Sequence, residues 1–554
     1  MSNITTRNTA PHGRTSAGDR LARVLDAPAL ARVVPHLPPE TLHQLIRHHG
    51  LDACGEILTS ATPAQLTSVL DLDLWRHGTP GRDEQFDVDR FGEWLEVLVD
   101  TGTAVAARTL AALDPAIVVA GLSRYVRVLD PGIFEPTAES DDEAVDRLEA
   151  MREGDSIPID DSLECEVGGY IIRARRTDAW DAIVALLVDL DAGHGAYFQT
   201  VMEGCRRLSN SRPEIDGLDD LLQAPEQHLH DVTIDREHRR SRQGYATPAD
   251  ARAFLRMARE PKPMAREAAA SLTRNPIVAA YFRAAGEEPE PPHEPAGSPT
   301  RAPESLDAVV ELLAEAGMMP QRPRALLDAG DADPQAARLA HLRRLMMYVR
   351  DRHEAAYFAR GRELAFLANA LVAGCSFQSR AFTPQEASDA AASICNLGLE
   401  YWPGRTSRDI SVPDSLLVDH DLVTAFEVGW SVLHRDVSLF VADGLISILD
   451  DVESVDRDIR RGLAALRRTL VQEREAGTPW RARHATEILA MLDAAAWIGV
   501  HGLLDECPVL PAAVTAIVEG RTTSVSPTAF EFISTAAQIG DVRLFMRKLP
   551  ALLS

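Results

Sequence analysis

Three stretches of this 554-residue chain group side chains that can bind metals or move protons. "QHLHDVTIDREHRR" carries His228, His230, Asp231, Glu237 and His238. Neighbouring His and Asp hold divalent ions in metal-dependent phosphohydrolases, where the ion activates a water. "VDHDLVTAFEVGWSVLHRD" carries Asp419, His420, Asp421, His434 and Asp436, and "LDDVESVDRD" carries Asp450, Asp451, Glu453 and Asp456. Paired acids of the last kind can bridge Mg2+ to a diphosphate.

Each stretch also has a plainer reading. "LHDVTID" alternates like an extended segment, and "DREHRR" has the composition of a solvated charged face. Asp419 or Asp421 suits a helix N-cap, and His434 suits the negative pole at the far end of the same helix. The third stretch lacks both a second acidic motif and an aromatic cavity, so a solvated acidic helix end accounts for it. On type and spacing, no catalytic residue, metal ligand or cofactor is assigned. The sequence has no Gly-rich phosphate loop ending in Lys-Ser or Lys-Thr, no GxSxG, no HExxH and no GxGxxG, which sets aside the common nucleotide and hydrolase scaffolds. Lysine chemistry has only Lys262 and Lys548 to draw on.

Polar residues inside apolar helices form a separate group. Asn369 in "AFLANALVAG" and Asn396 in "SICNLGL" must find partners if buried. Interhelical hydrogen bonds are the expected ones. If these helices enclose a pocket, Arg362, Asn369, Asp389, Asn396 and His420 are its candidate polar cluster.

Net charge narrows the partners. Lys and Arg number 57 against 83 Asp and Glu, leaving −26 with histidines neutral. Such a field repels a phosphate backbone, so no nucleic acid is expected, nor an anionic membrane surface. Aromatics are only 5%, too few for a base-stacking surface. Cys54, Cys165, Cys205, Cys375, Cys395 and Cys507 are far apart with no CxxC pair, which reads as reduced thiols in a cytoplasm. The first twenty residues hold no apolar segment and read as a disordered leader without a signal peptide. Ile488 to Leu504 is apolar but short and interrupted by Asp493 and His501, as in a buried helix.

The elements that must position these groups are helices with a recurring start. "TPAQLTSVLDLDLWRHG" opens with Thr62, Pro63 and Gln65, and "TPQE" opens with Thr383, Pro384 and Glu386. A Ser, Thr or Asp cap accepts a free backbone N–H, the following Pro loses no helical bond, and Gln or Glu three residues on completes a capping box. Asp114-Pro115, Thr247-Pro248, Asp333-Pro334 and Ser526-Pro527 follow the same plan. Starts at Pro39, Pro63, Val88 and Pro115 are spaced by about 25 residues, room for two short helices each, as in a helical-repeat array. Gly168-Gly169 in "LECEVGGYIIRA" predicts a hairpin over 163–174. Gly286 to Glu304 holds six prolines and reads as an extended linker. The expected organisation is a leader (1–20), a helical-repeat region (21–134), a helical region with an acidic loop and β-hairpin (135–285), the linker (286–304) and a C-terminal helical domain (305–554). The fold class is mainly α: a helical-repeat array with a small β-hairpin insertion, followed by a C-terminal α-helical bundle.

Two resemblances attach to particular residues. "LPPETLHQLI … TPAQLTSVL … LDPAIVVAGL" resembles the short helical repeats of the cytosolic N-terminal domain of magnesium transporters and of flagellar motor switch proteins. "DLDLWR", "GYATPADA", "AFLANALVAGCSF", "FTPQEASDAAASICNLGLEYW" and "HDLVTAFEVGWSVLH" resemble a bacterial family of long helical proteins with no assigned function. Neither resemblance brings functional residues with it. The functional expectation is a cytoplasmic scaffold or adaptor that acts by binding other proteins. The alternative is a metal-dependent hydrolase or ligand-sensing regulator with its site in the C-terminal helical domain.

Overall fold

The computed structural model describes residues 30–76, 84–129, 163–210, 225–260, 275–284, 337–402, 413–451, 457–476, 494–521 and 529–553. The expected leader, acidic loop and Pro-rich linker lie outside these residues, as do Asp333-Pro334 and Ser526-Pro527. The fold is mainly helical with small sheets of two or three strands. The described residues fall into two compact units. The first takes 30–76, 85–129, 163–210 and 225–238, and the second takes residue 84, 239–260, 275–284 and everything described from 337 onward. Each has its own hydrophobic core.

In the first unit, the helices α1 (Pro39–His49), α2 (Pro63–Asp73), α3 (Val88–Asp100), α4 (Thr103–Ala111) and α5 (Pro115–Tyr125) follow one another. All four expected starts are helix starts. Thr62 and Gln65 form the capping box of α2, Asp87 accepts from the Arg90 amide, and Asp114 accepts from the Ala116 amide. Between α2 and α3 a short ribbon pairs β1 (Trp75–Arg76) with β2 (Gln85–Phe86). The predicted hairpin is present as β4 (Glu164–Val167) and β5 (Tyr170–Ala174), turning through Gly168 and Gly169, both at positive φ. It gains a third strand, β3 (Val126–Leu129), against the other edge of β5. Helix α6 (Trp180–Asn210) packs on α4, α5 and β3 and breaks at His194, whose glycine neighbours on both sides permit the kink.

Helix α7 (Pro225–Arg242) corrects the extended reading of "LHDVTID". Its inward positions recur every fourth residue: the His228 ring meets the Ala116 carbonyl, Val232 is buried, and Arg236 is 2% exposed. A period of two over a few residues had concealed a period near four.

The second unit is built from α8 (Pro248–Arg259), α9 (Pro276–Ala284), α10 (Ala340–Arg352), α11 (Glu354–Gly374), α12 (Pro384–Glu400), α13 (Leu422–Leu433), α14 (Phe440–Asp451), α15 (Arg457–Ala476), α16 (Ala494–Leu503), α17 (Ala512–Glu519) and α18 (Ala536–Lys548), with shorter turns between. Thr247 caps α8, and Thr383 with Glu386 forms the capping box of α12. The small-residue run in α12 does what its composition suggests. At its crossing with α13 a Cβ on Gly398 would collide with the Ala425 carbonyl, and one on Gly429 with the Ile394 carbonyl. The backbones therefore meet with nothing between them, and Phe254, Phe366, Phe426 and Trp430 fill the space alongside. Two small antiparallel pairs belong to this unit: the hairpin β6 (Ser376–Phe377) with β7 (Arg380–Ala381), and β8 (Val509–Pro511) with β9 (Phe530–Phe532), which flank α17 in the chain.

The expected helix end at His434 is also corrected. A π-helical stretch over His434–Leu439 follows α13 and leads directly into α14, so no carbonyl pole stands there. Part of the apolar stretch near the C-terminus is seen as α16, where Trp497, Val500 and Leu503 are buried. Among the described residues no helix is long and apolar enough to cross a membrane.

Candidate functional site

The polar residues picked out by sequence each meet partners of their own, and Arg362 and Asn369 both approach the Tyr281–Phe282 pair of α9. Arg362 is exposed, its guanidinium 5.5 Å from the centre of the Phe282 ring. Asn369 donates to the Gly244 carbonyl at 2.5 Å. Asp389 accepts from Gln385 one turn earlier at 2.9 Å. Asn396, 1% exposed, accepts from the Leu342 amide at 3.0 Å and donates to the carbonyls of Arg338 and Ser534 at 3.0 and 2.9 Å. His420 stacks its ring edgewise on Trp402 and offers its carbonyl to Arg360. Asn369 and Asn396 are thus interhelical ties, as expected of amides in apolar helices.

The metal readings gain nothing further. Among the described residues no group of three or more His, Cys, Asp or Glu is placed to hold a metal ion. His230 is exposed on α7, in the first unit, while His420 belongs to the second. Glu453 and Asp456 lie outside the described residues, as do the side chains of Asp450 and Asp451. Asp421 is the cap of α13, accepting from the Thr424 amide at 2.7 Å, while Asp419 is exposed. Lys548 donates to the carbonyls of Ile517 and Val518 beside the end of α17, and Lys262 lies outside the described residues. All six cysteines are free thiols. Burial pushes the thiols of Cys375, Cys395 and Cys507 well above their ordinary range, which suppresses the nucleophilic thiolate.

The strongest convergence of ionisable groups lies where α11 meets the start of α13. Glu363 is 1% exposed, and its carboxylate accepts from the Leu422 amide at 2.7 Å and faces Arg360 at 3.0 Å. Asp421, fully buried, stands beside it and leaves one carboxylate oxygen without a hydrogen-bond donor. Burial pushes Glu363 up to about 7, against the pull of Arg360 and the Leu422 amide, and the Asp421 charge adds to the rise. One arginine against two carboxylates leaves a net negative charge in a dry place, and a proton on Glu363 removes it.

A second junction gathers around the β6–β7 turn. Gln378 and Ser379 both have positive φ, 47° and 66°, in a tight turn with no glycine. Each costs on the order of 1 kcal/mol, so neighbouring structure must hold the turn. It does: Asp505 accepts from the Gln378 amide at 2.7 Å and Glu506 from the Ser376 amide at 2.8 Å. Burial raises Asp505 to about 6 despite the Gln378 and Glu506 amides that donate to it. Arg259 approaches Glu506 at 3.9 Å. Burial, with Arg259 second, lowers His434 in the π-helical stretch to about 4, so its ring is neutral at pH 7.

The first unit has a hub of the opposite kind. Asp73, in the "DLDLWR" stretch, receives His43 at 3.2 Å, Arg90 at 2.7 Å and the Trp94 indole at 2.7 Å. Burial alone would favour the neutral acid, but these three donors hold Asp73 well below the usual carboxylate range. Trp75 stands two residues after Asp73, and the Arg236 guanidinium lies 4.4 Å from the centre of its ring and donates to the Asp71 carbonyl at 2.7 Å.

Residues 13–214 match the model of a family of unknown function, DUF6178. The match takes in the Asp73 hub and the three-stranded sheet; the resemblances quoted beyond residue 214 lie outside it. No curated protein and no solved structure matches the chain. Nothing in these comparisons supports the likeness to magnesium-transporter or flagellar-switch repeats.

Sequence reasoning missed Asp73, Arg360, Glu363, Asp505 and Arg259. Asp73 carried a signal, since an acid two residues from a tryptophan inside an apolar run invites burial. Glu363 carried none, because "GRELAF" reads equally well with the acid on a wet face.

Proposed function

We propose that this chain is a cytoplasmic helical scaffold or adaptor that acts by binding another protein. The observation that carries the reading is how the polar side chains are used. Asn396, Asn369, Asp73 and Lys548 each join separate elements, and Asp421 caps a helix, so side-chain polarity fixes helix against helix. Such ties favour a rigid surface, and stacked helices offer extended ones. On that surface Phe440 and Leu544 are 39% and 44% exposed, and the Arg543 guanidinium lies 5.9 Å from the centre of the Phe440 ring. Aromatic and arginine side chains together are the composition of interface hot spots. Free thiols in all six cysteines agree with a reducing compartment.

Native mass spectrometry of the tagged full chain, isolated gently from its own host, tests this. The expected result is a protein partner at fixed stoichiometry that is lost in the Phe440→Asp, Leu544→Asp double variant. A bound metal or small molecule with no protein partner would overturn the reading in favour of an enzyme or sensor.

A further inference from the structure

In a chain with 26 excess negative charges, the β3 side of the outer face of the three-stranded sheet gathers arginines, while the exposed Glu164 and Glu166 line the far side on β4. Strands β3 and β5 pair so that Arg127 stands directly opposite Arg173, while Val126 and Val128 point into the core. Directly opposed residues have Cβ atoms about 5 Å apart and diagonal ones about 7 Å, and like charges so placed repel. Arg173 is relieved by Glu164 on β4, at 2.8 Å. Arg175 follows two residues later, just past the end of β5, its amide bonded to the Tyr125 carbonyl at 2.8 Å, which places it diagonal to Arg127. Arg124 adds a third guanidinium from the end of α5.

Nearby arginines find acids where acids are in reach: Arg176 bonds Asp89 at 2.7 Å and Asp178 at 2.6 Å. Among the described residues Arg124, Arg127 and Arg175 have no carboxylate partner, and all three are exposed. Partial burial, and then the charges of Arg127 and Arg124, pull the Arg175 guanidinium below its ordinary value. An anion placed among the three would offset the repulsion that Arg127 and Arg124 exert on Arg175.

We propose that Arg124, Arg127 and Arg175 form a binding site for a small, multiply charged oxyanion of the phosphoryl type. Guanidinium forks match phosphoryl oxygens in pairs, and three converging cations suit a compact di- or trianion. Size selects the ligand. Charges farther than about 8 Å are screened at physiological salt, so a compact anion feels the three arginines more than the distant acids. A long polyanion such as nucleic acid would extend beyond the patch over acidic surface and be repelled.

Isothermal titration of the full chain with inorganic pyrophosphate, at ionic strength matched with chloride, tests the site. Saturable binding with one equivalent is expected, weakened at least tenfold in Arg127→Ala, Arg175→Ala. Arg124→Ala alone should weaken it less, and Arg47→Ala, at an exposed position elsewhere in the first unit, not at all. The exposed positions allow both variants to be checked for an unchanged thermal transition before titration. Absence of saturable binding to the parent protein overturns the proposal, as does equal affinity in the double variant. Tighter binding of a long single-stranded DNA than of pyrophosphate would overturn the size argument and with it the assignment.

Discussion

Asp73 in the first unit and Glu363 in the second are both carboxylates removed from water, yet their environments pull them in opposite directions. Asp73 meets three donors from three places in the chain and is held charged, well below the ordinary range. Glu363 meets one amide and one arginine, shares its surroundings with Asp421, and burial lifts it to about 7. The difference is in donor count and neighbouring charge, since both side chains are buried. A carboxylate given enough donors becomes a fixed anchor; one left short of them becomes a proton-binding group. The first unit accordingly depends on a permanent charge network, whereas the junction of α11 and α13 depends on pH.

The largest effect on that comparison is expected at the helix crossing that holds the Glu363 junction in place. Gly429→Ala drives a methyl into the Ile394 carbonyl, which cannot move without parting α12 from α13. A loss of about 3 kcal/mol or more is expected in the second unit's calorimetric transition, with the first unit's unchanged. Asp73→Ala is the reciprocal break. It leaves the Arg90 Nε–H and the Trp94 indole without their acceptor, although Glu93 still pairs with the Arg90 guanidinium, and a loss of about 3 kcal/mol confined to the first unit is expected by the same calorimetry. The stability Asp73 contributes is present above its unfolded value near 4 and is lost only as pH falls toward its depressed folded value.

Asn396→Ala removes one acceptor and two donated bonds at a site 1% exposed, and about 2 kcal/mol should be lost in chemical denaturation of the second unit. Asn396→Asp should fare no better, because an oxygen replaces the amide nitrogen that faces two carbonyls. Thr62→Ala sharpens the comparison at its small end: loss of one α2 capping oxygen should cost about 1 kcal/mol in the first unit, read by thermal denaturation.

What was legible in the sequence follows from the range of the interactions. Capping is local: Thr62 and Gln65, or Thr383 and Glu386, are three residues apart, and both boxes form as read. Gly168-Gly169 marks its own hairpin, whereas the Gln378-Ser379 turn has no glycine and depends on Asp505, 127 residues away along the chain. Asn369 and Asn396 were recognisable as buried amides, but not the carbonyls they meet. The Asp73 hub required His43, Arg90 and Trp94 from 30, 17 and 21 residues away, a coincidence no local pattern encodes. The charged trio of Arg360, Glu363 and Asp421 was hidden for the same reason, because its burial is decided by how α11 and α13 pack.

The most direct measurement is the pH dependence of second-unit stability in the parent chain and in Glu363→Gln, followed between pH 4 and 8. A folded value near 7 above an unfolded value near 4.5 means that the favourable contribution of protonated Glu363 is complete below pH 4.5 and lost as pH rises through 7. Asp505, raised to about 6, changes in the same sense, and His434, lowered to about 4, in the opposite one, but both are common to the two proteins. The difference between parent and variant should therefore shift by on the order of 3 kcal/mol in favour of the variant across that window, 2.5 pH units at about 1.4 kcal/mol each. A difference that stays flat from pH 4 to 8 would show Glu363 titrating in the folded protein as it does unfolded, and would contradict the contrast with Asp73.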